Sequence, residues 1–121
     1  MAWQFNSREP VFLQIANKLR VDILRGKYSP DEQFPSVRQL AFEAAVNPNT
    51  MQKALAFLEE EGILHSRGTI GRFVTSDESV LSSARESMKR DMIRSWVEES
   101  LAMGITKEDL IRYFEEEEGK V

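Results

Sequence analysis

The sequence has no cysteine and a single histidine, His65. The first absence excludes disulfide staples, thiolate catalysis and sulfur-ligated zinc, and a lone imidazole has no partner for a nitrogen-rich site, so neither metal nor cofactor is expected. Glycine (6) and proline (4) are scarce among the 121 residues, which excludes a low-complexity chain and favours ordered helix. No apolar run approaches the roughly 20 residues that span a bilayer. The start, Met1-Ala2-Trp3-Gln4, lacks the basic and apolar regions of a signal peptide. A cytoplasmic protein without membrane association is therefore expected. Positive charge is also short, with a formal net charge of −4. It is unevenly spread: residues 1–76 hold 9 basic and 8 acidic side chains (+1), and residues 77–121 hold 7 and 12 (−5). The acid sits in the tail, and the front half remains able to turn a basic face to an anionic partner.

What is present is helical periodicity punctuated by caps. Residues 3–6 suit a short extended segment; Pro10 then opens a helix whose Phe12, Ile15, Ala16, Leu19 and Ile23 recur at three- and four-residue steps until Gly26. Residues 27–35 carry two prolines and polar turn formers, which predicts a loop. Ser36, with Gln39 three residues on, has the spacing of a capping box for a short helix to about Ala45, with Val37, Leu40, Ala41 and Ala44 on its apolar stripe. Asn47-Pro48 starts another helix to about Glu61, burying Met51, Ala54, Leu55 and Leu58. Residues 63–66 and 72–75 then read as two short strands around a turn containing Gly68 and Gly71.

Helix, helix, tight turn, helix and hairpin is the order of a winged helix-turn-helix. In that arrangement the second helix of the pair enters the major groove with its N-terminal residues against base edges. Here those positions are Asn47, Asn49, Thr50, Gln52 and Lys53. Asn and Gln suit bidentate pairing with adenine, Thr a phosphate or a thymine methyl, and Lys supplies charge.

Residues 10–75 resemble the DNA-binding domain of the GntR family. The matching stretches are Pro10-Val11-Phe12-Leu13-Gln14-Ile15, Phe34-Pro35-Ser36-Val37-Arg38-Gln39-Leu40-Ala41, Asn47-Pro48-Asn49-Thr50-Met51-Gln52-Lys53-Ala54, Leu58-Glu59-Glu60-Glu61-Gly62-Ile63-Leu64 and Gly71-Arg72-Phe73-Val74. The resemblance implies that Ser36 holds a phosphate, Arg38 reads a guanine, Asn49 and Thr50 contact the major groove, and the wing around Gly68 and Gly71 approaches the minor groove; Gln39, beside Arg38, and Arg67, at the wing, are counted with them as DNA-binding candidates. Within the family the chain is most similar to the YtrA-like subgroup, whose recognition helix also begins Asn-Pro-Asn-Thr and whose C-terminal part is two helices. Several family members carry Arg where this chain has Pro48 and Gln52, and often Gly where it has Thr69, so base preference does not carry over.

The polar segment 76–79 marks the expected boundary between a DNA-binding domain (1–76) and a helical dimerisation region (77–121). A long helix from Val80 to Met103 carries Leu81, Ala84, Met88, Met92 and Trp96, and a last helix capped by Thr106 and Asp109 carries Leu110, Ile111 and Phe114. Two helices cannot bury such a stripe alone, so a second copy of the chain is the expected cover. Glu115 to Glu118 reads as a solvated end. The expectation is a mainly α protein with a small β wing: a homodimeric repressor that binds a near-palindromic duplex operator, with little room for an enclosed effector pocket and the dimer interface left open to an unidentified small-molecule effector. A winged-helix adaptor for another protein is the alternative, motivated by the acidic balance. No nucleophile with a base and no phosphate-cradling glycine loop suggests an enzyme.

Overall fold

The computed structural model describes residues 2–117. Two compact units emerge, Met1–Arg85 and Glu86–Val121. In the first, α1 (Val11–Leu24), α2 (Val37–Ala44) and α3 (Pro48–Glu60) precede an antiparallel hairpin of β1 (Leu64–Arg67) and β2 (Gly71–Val74). The three helices meet through the stripes read from the sequence. Ile15, Ala16 and Leu19 of α1, Leu40 and Ala44 of α2, and Met51, Ala54, Leu55 and Leu58 of α3 are all essentially inaccessible to solvent. Each buried side chain of Leu or Ile size contributes about 1.5–3 kcal/mol of transfer free energy, so this shared core sets the angle at which α3 is presented.

The caps explain where the helices start. Ser36 Oγ accepts from the Gln39 amide at 3.1 Å, and Asn47 Oδ1 accepts from the Asn49 amide at 2.7 Å. Only one arm of the expected capping box forms: among the described residues the exposed Gln39 side chain returns no bond. At the other end of α2, Ala45 takes the left-handed conformation (φ 57°, ψ 47°) and turns the chain into α3 within two residues.

Residues 3–6 lie outside the helices and the sheet, and Gln14 ties that segment down, accepting from the Asn6 amide at 3.0 Å and donating to the Asn6 and Glu9 carbonyls at 2.9 Å each. Residues 27–35 form the expected loop, and it is tied to the wing: its Phe34 is buried, its Asp31 and Phe34 amides donate to Val74 and Arg72 carbonyls at 2.9 and 2.8 Å, and Gln33 makes an isolated bridge to Phe73.

Within the polar segment 76–79 the helix begins at Glu78, two residues before the expected Val80. Asp77 Oδ1 accepts from the Ser79 hydroxyl at 2.6 Å and its amide at 3.0 Å, so α4 (Glu78–Ala102) starts directly after the hairpin. These bonds hold the Asp77 carboxyl below its ordinary value, the hydroxyl contributing most. Because the helix begins at once, its first turns fall onto the first unit: Leu81 is 1% exposed there, and Arg85 Nε donates to the Leu24 carbonyl at 3.1 Å. Leu81, expected in a dimer seam, is thus core of its own chain.

The second unit holds the rest of α4 and α5 (Lys107–Glu117). Gly104 (φ +90°) ends α4, and Thr106 and Asp109 form a reciprocal cap, each amide donating to the other's side chain at 3.0 Å. The chain folds back so that the Trp96 and Phe114 rings stand 6.1 Å apart. Glu115 and Glu116 are exposed in α5, and Glu118 lies outside the described residues.

Candidate nucleic-acid interface

On the first unit, a cleft of about 360 Å³ opens where the start of α2, the first turns of α3 and the hairpin converge. Its walls include Ser36 and Val37 from α2, Gln52 from α3, and Gly68, Ile70 and Gly71 from the hairpin, with Gln33 and Pro35 forming the near edge. Four residues singled out from sequence, Ser36, Gln52, Gly68 and Gly71, are therefore brought to one concavity. Asn49 lies three residues before Gln52, one helical turn away on the same exposed face. The N-terminus of α2, with its cap Ser36, lines the cleft and leaves backbone N–H groups without intrahelical partners, a favourable setting for an anion.

The cations of α2, α3 and the hairpin differ in how far they are already engaged. Arg38, in the first turn of α2, is exposed and makes no ion pair or side-chain hydrogen bond among the described residues. Lys53 is drawn the other way, its ammonium 4.2 Å from the centre of the Phe12 ring of α1. The Arg67 guanidinium lies 4.0 Å from the centre of the Phe73 ring and pairs with Asp31, against the base of the hairpin. Thr50 is half-buried, while Asn47, Asn49, Gln52 and Gln39 are exposed; Asn47 uses its carbonyl oxygen as the cap.

The hairpin is locked to α3 by Glu59, which accepts from Arg72 and, at 3.1 Å, from the Ser66 hydroxyl. Its tip is held by Gln33, whose Nε2 donates to the Ile70 carbonyl at 2.9 Å. The same nitrogen would stand 3.0 Å from a Cβ at Gly71, where φ is +133°, so only glycine fits both the turn and the amide. Sequence reading missed Gln33 and Ile70. Gln33 gave no signal, since its partner lies in a distant turn; Ile70 did, as an apolar residue between two glycines of a polar turn.

Residues 12–74, over half the chain, match the family described as "Bacterial regulatory proteins, gntR family". Over 108 residues the chain is 31% identical to the HTH-type transcriptional regulator YhcF of Bacillus subtilis, covering 89% of each. It is 28% identical over 111 residues to the HTH-type transcriptional repressor YtrA of the same organism, covering 91% of this chain and 85% of YtrA. Among solved structures, a GntR family transcriptional regulator from Listeria monocytogenes superposes with a TM-score of 0.81 at 28% identity, covering 93% of this chain and 98% of that one. The DNA-binding domain of AraR in complex with operator ORX1 superposes at 0.56 with 25% identity, covering 62% and 95%. The mainly helical fold with a two-stranded wing is that of these regulators. The chain belongs to the GntR family, with YtrA-like relatives, and is a DNA-binding transcriptional regulator rather than an enzyme.

Proposed function

We propose that the chain acts as a homodimeric repressor, each copy reading one half of a near-palindromic operator. The observation that carries the DNA-contacting part is the cleft where the start of α2, Gln52 of α3 and the wing converge; Arg38, next in the chain to its lining residue Val37, is exposed and makes no ion pair among the described residues. In this reading Ser36 and the α2 amides hold a phosphate, and Arg38 reads guanine. Asn47, Asn49, Thr50 and Gln52 meet major-groove edges and phosphates, and Gly68 and Gly71 let the wing approach the minor groove. Lys53 and Arg67 contribute longer-range charge from their seats on aromatic rings.

Dimerisation is supported by the second unit, where Met92 (62%), Trp96 (46%) and Phe114 (54%) are substantially exposed and α5 buries no residue. Met88 precedes them on α4 at helical spacing and Leu110 lies on α5, whereas half-buried Ala84, also expected in the seam, belongs to the first unit. A second copy covers this surface and sets two recognition helices about 34–36 Å apart, as adjacent major grooves on one face require. The repressor role is favoured by the likeness to YtrA, named as a repressor. The site of action is the cytoplasm; among the described residues no helix is long and apolar enough to cross a membrane.

The test is selection of genomic fragments by the purified protein, followed by gel shifts with Arg38→Ala. Enrichment of a two-fold symmetric site, and loss of about tenfold or more in affinity for the variant, are the expected results. Failure to enrich any sequence, together with a stable complex with another polypeptide, would replace this reading with the adaptor.

A further inference from the structure

Unlike Leu64 and Val74, which the hairpin buries, Ile70 in the turn of the wing is a large apolar side chain left in solvent. Ile70 is 66% exposed, although β-branched apolar residues normally seek burial. Its backbone is fixed on both sides: the amide donates to the Arg67 carbonyl at 3.0 Å, and the carbonyl accepts from Gln33 at 2.9 Å. A side chain on so well-held a turn is presented in one direction. Arg67, the cation nearest the tip, is turned back onto Phe73 and Asp31, and Asp31 itself is anchored by its amide to the Val74 carbonyl at 2.9 Å. The turn therefore offers methyl groups, on the wall of the cleft that also holds Gln52, Ser36 and an Arg72 already paired with Glu59.

We propose that Ile70 is a specificity-determining contact which the wing seats in the minor groove of the operator, selecting sequence through groove width and the absence of a protruding amino group. The inference rests on the DNA-contacting reading above. The minor groove of A·T pairs lacks the guanine N2 amino group, so an apolar wedge fits there without stranding a donor, and apolar insertion is favoured where base steps unstack easily. Gln33 is the positioning residue that keeps the wedge in register.

The experiment starts with wild-type protein and a random duplex library, and uses the enriched duplex as probe. Ile70→Ala is expected to weaken binding about fivefold to tenfold with an unchanged salt slope, because apolar contact and no phosphate contact is lost; Ile70→Val is expected to restore most of it. Exchanging inosine for guanine, or diaminopurine for adenine, alters only the minor-groove edge. At positions beneath the wing these exchanges should change wild-type affinity and leave Ile70→Ala indifferent. Binding by Ile70→Ala within twofold of wild type, measured in parallel and with the same response to the exchanges, would overturn the contact alone. A library that yields no enriched sequence would overturn it together with the operator reading.

Discussion

The side-chain amide of Gln33 donates to the carbonyl oxygen of Ile70, 37 residues further along the chain, at 2.9 Å. A loop preceding the helix-turn-helix thereby holds the tip of the wing, beyond the backbone bonds from Asp31 and Phe34 that tie the same loop to β2. Gln33→Ala is expected to reduce stability by about 1 kcal/mol and to speed amide exchange at Ile70 while α1 to α3 keep their protection. Hydrogen exchange resolved by residue is the check; unchanged exchange at Ile70 would mean that the turn holds itself.

Ser36 has two roles that one substitution separates. Its hydroxyl caps α2, and it lines the cleft assigned to phosphate. Aspartate caps a helix about as well as serine but repels a phosphate. Ser36→Asp should therefore unfold within about 0.5 kcal/mol of wild type and bind operator at least roughly tenfold more weakly. Retained affinity would leave Ser36 as a cap only.

The turn between α2 and α3 contains a strained residue. Ala45 has φ 57° and ψ 47°, a region that disfavours any Cβ. Ala45→Gly is expected to stabilise the first unit by about 0.5–1 kcal/mol, the relief of strain exceeding the added freedom of the unfolded chain. Chemical denaturation measures it, and a destabilised variant would contradict the assignment.

Leu81 tests where the first unit ends. With 1% exposure it belongs to the core, so Leu81→Ala should cost about 2–5 kcal/mol while leaving the oligomeric state of the folded protein unchanged. The opposite pattern is expected for Trp96→Ala, which should weaken self-association in sedimentation and spare the first unit. Dissociation caused by Leu81→Ala without a fall in stability would return it to the seam.

Acid should loosen the start of α4. The Asp77 carboxyl is held below its ordinary 3.8, first by the Ser79 hydroxyl and then by the Ser79 amide. Its folded value lies beneath its unfolded one, so its contribution is fully present above 3.8 and disappears as pH falls through the depressed value. Asp109, held down by the Thr106 amide and then the hydroxyl, follows the same sign at α5. Helicity measured by circular dichroism between neutral and acid pH should fall less for Asp77→Asn, since asparagine caps without titrating. Parallel curves for the two proteins would rule out this origin.

The periodic apolar positions, the capping side chains Ser36, Asn47 and Thr106, and the paired glycines of the wing were legible along the chain, because each acts within a turn or two of helix or one hairpin. Those local signals determine the order of elements, the face each helix buries, and the family pattern that follows. The seating of Phe34 against the wing, the placement of Leu81 in the core, the turning back of Lys53 and Arg67 onto aromatic rings, and the bond from Gln33 to Ile70 belong to the tertiary structure. Each joins residues distant in the chain, and the choice among many compatible partners is made only when packing brings one of them within reach.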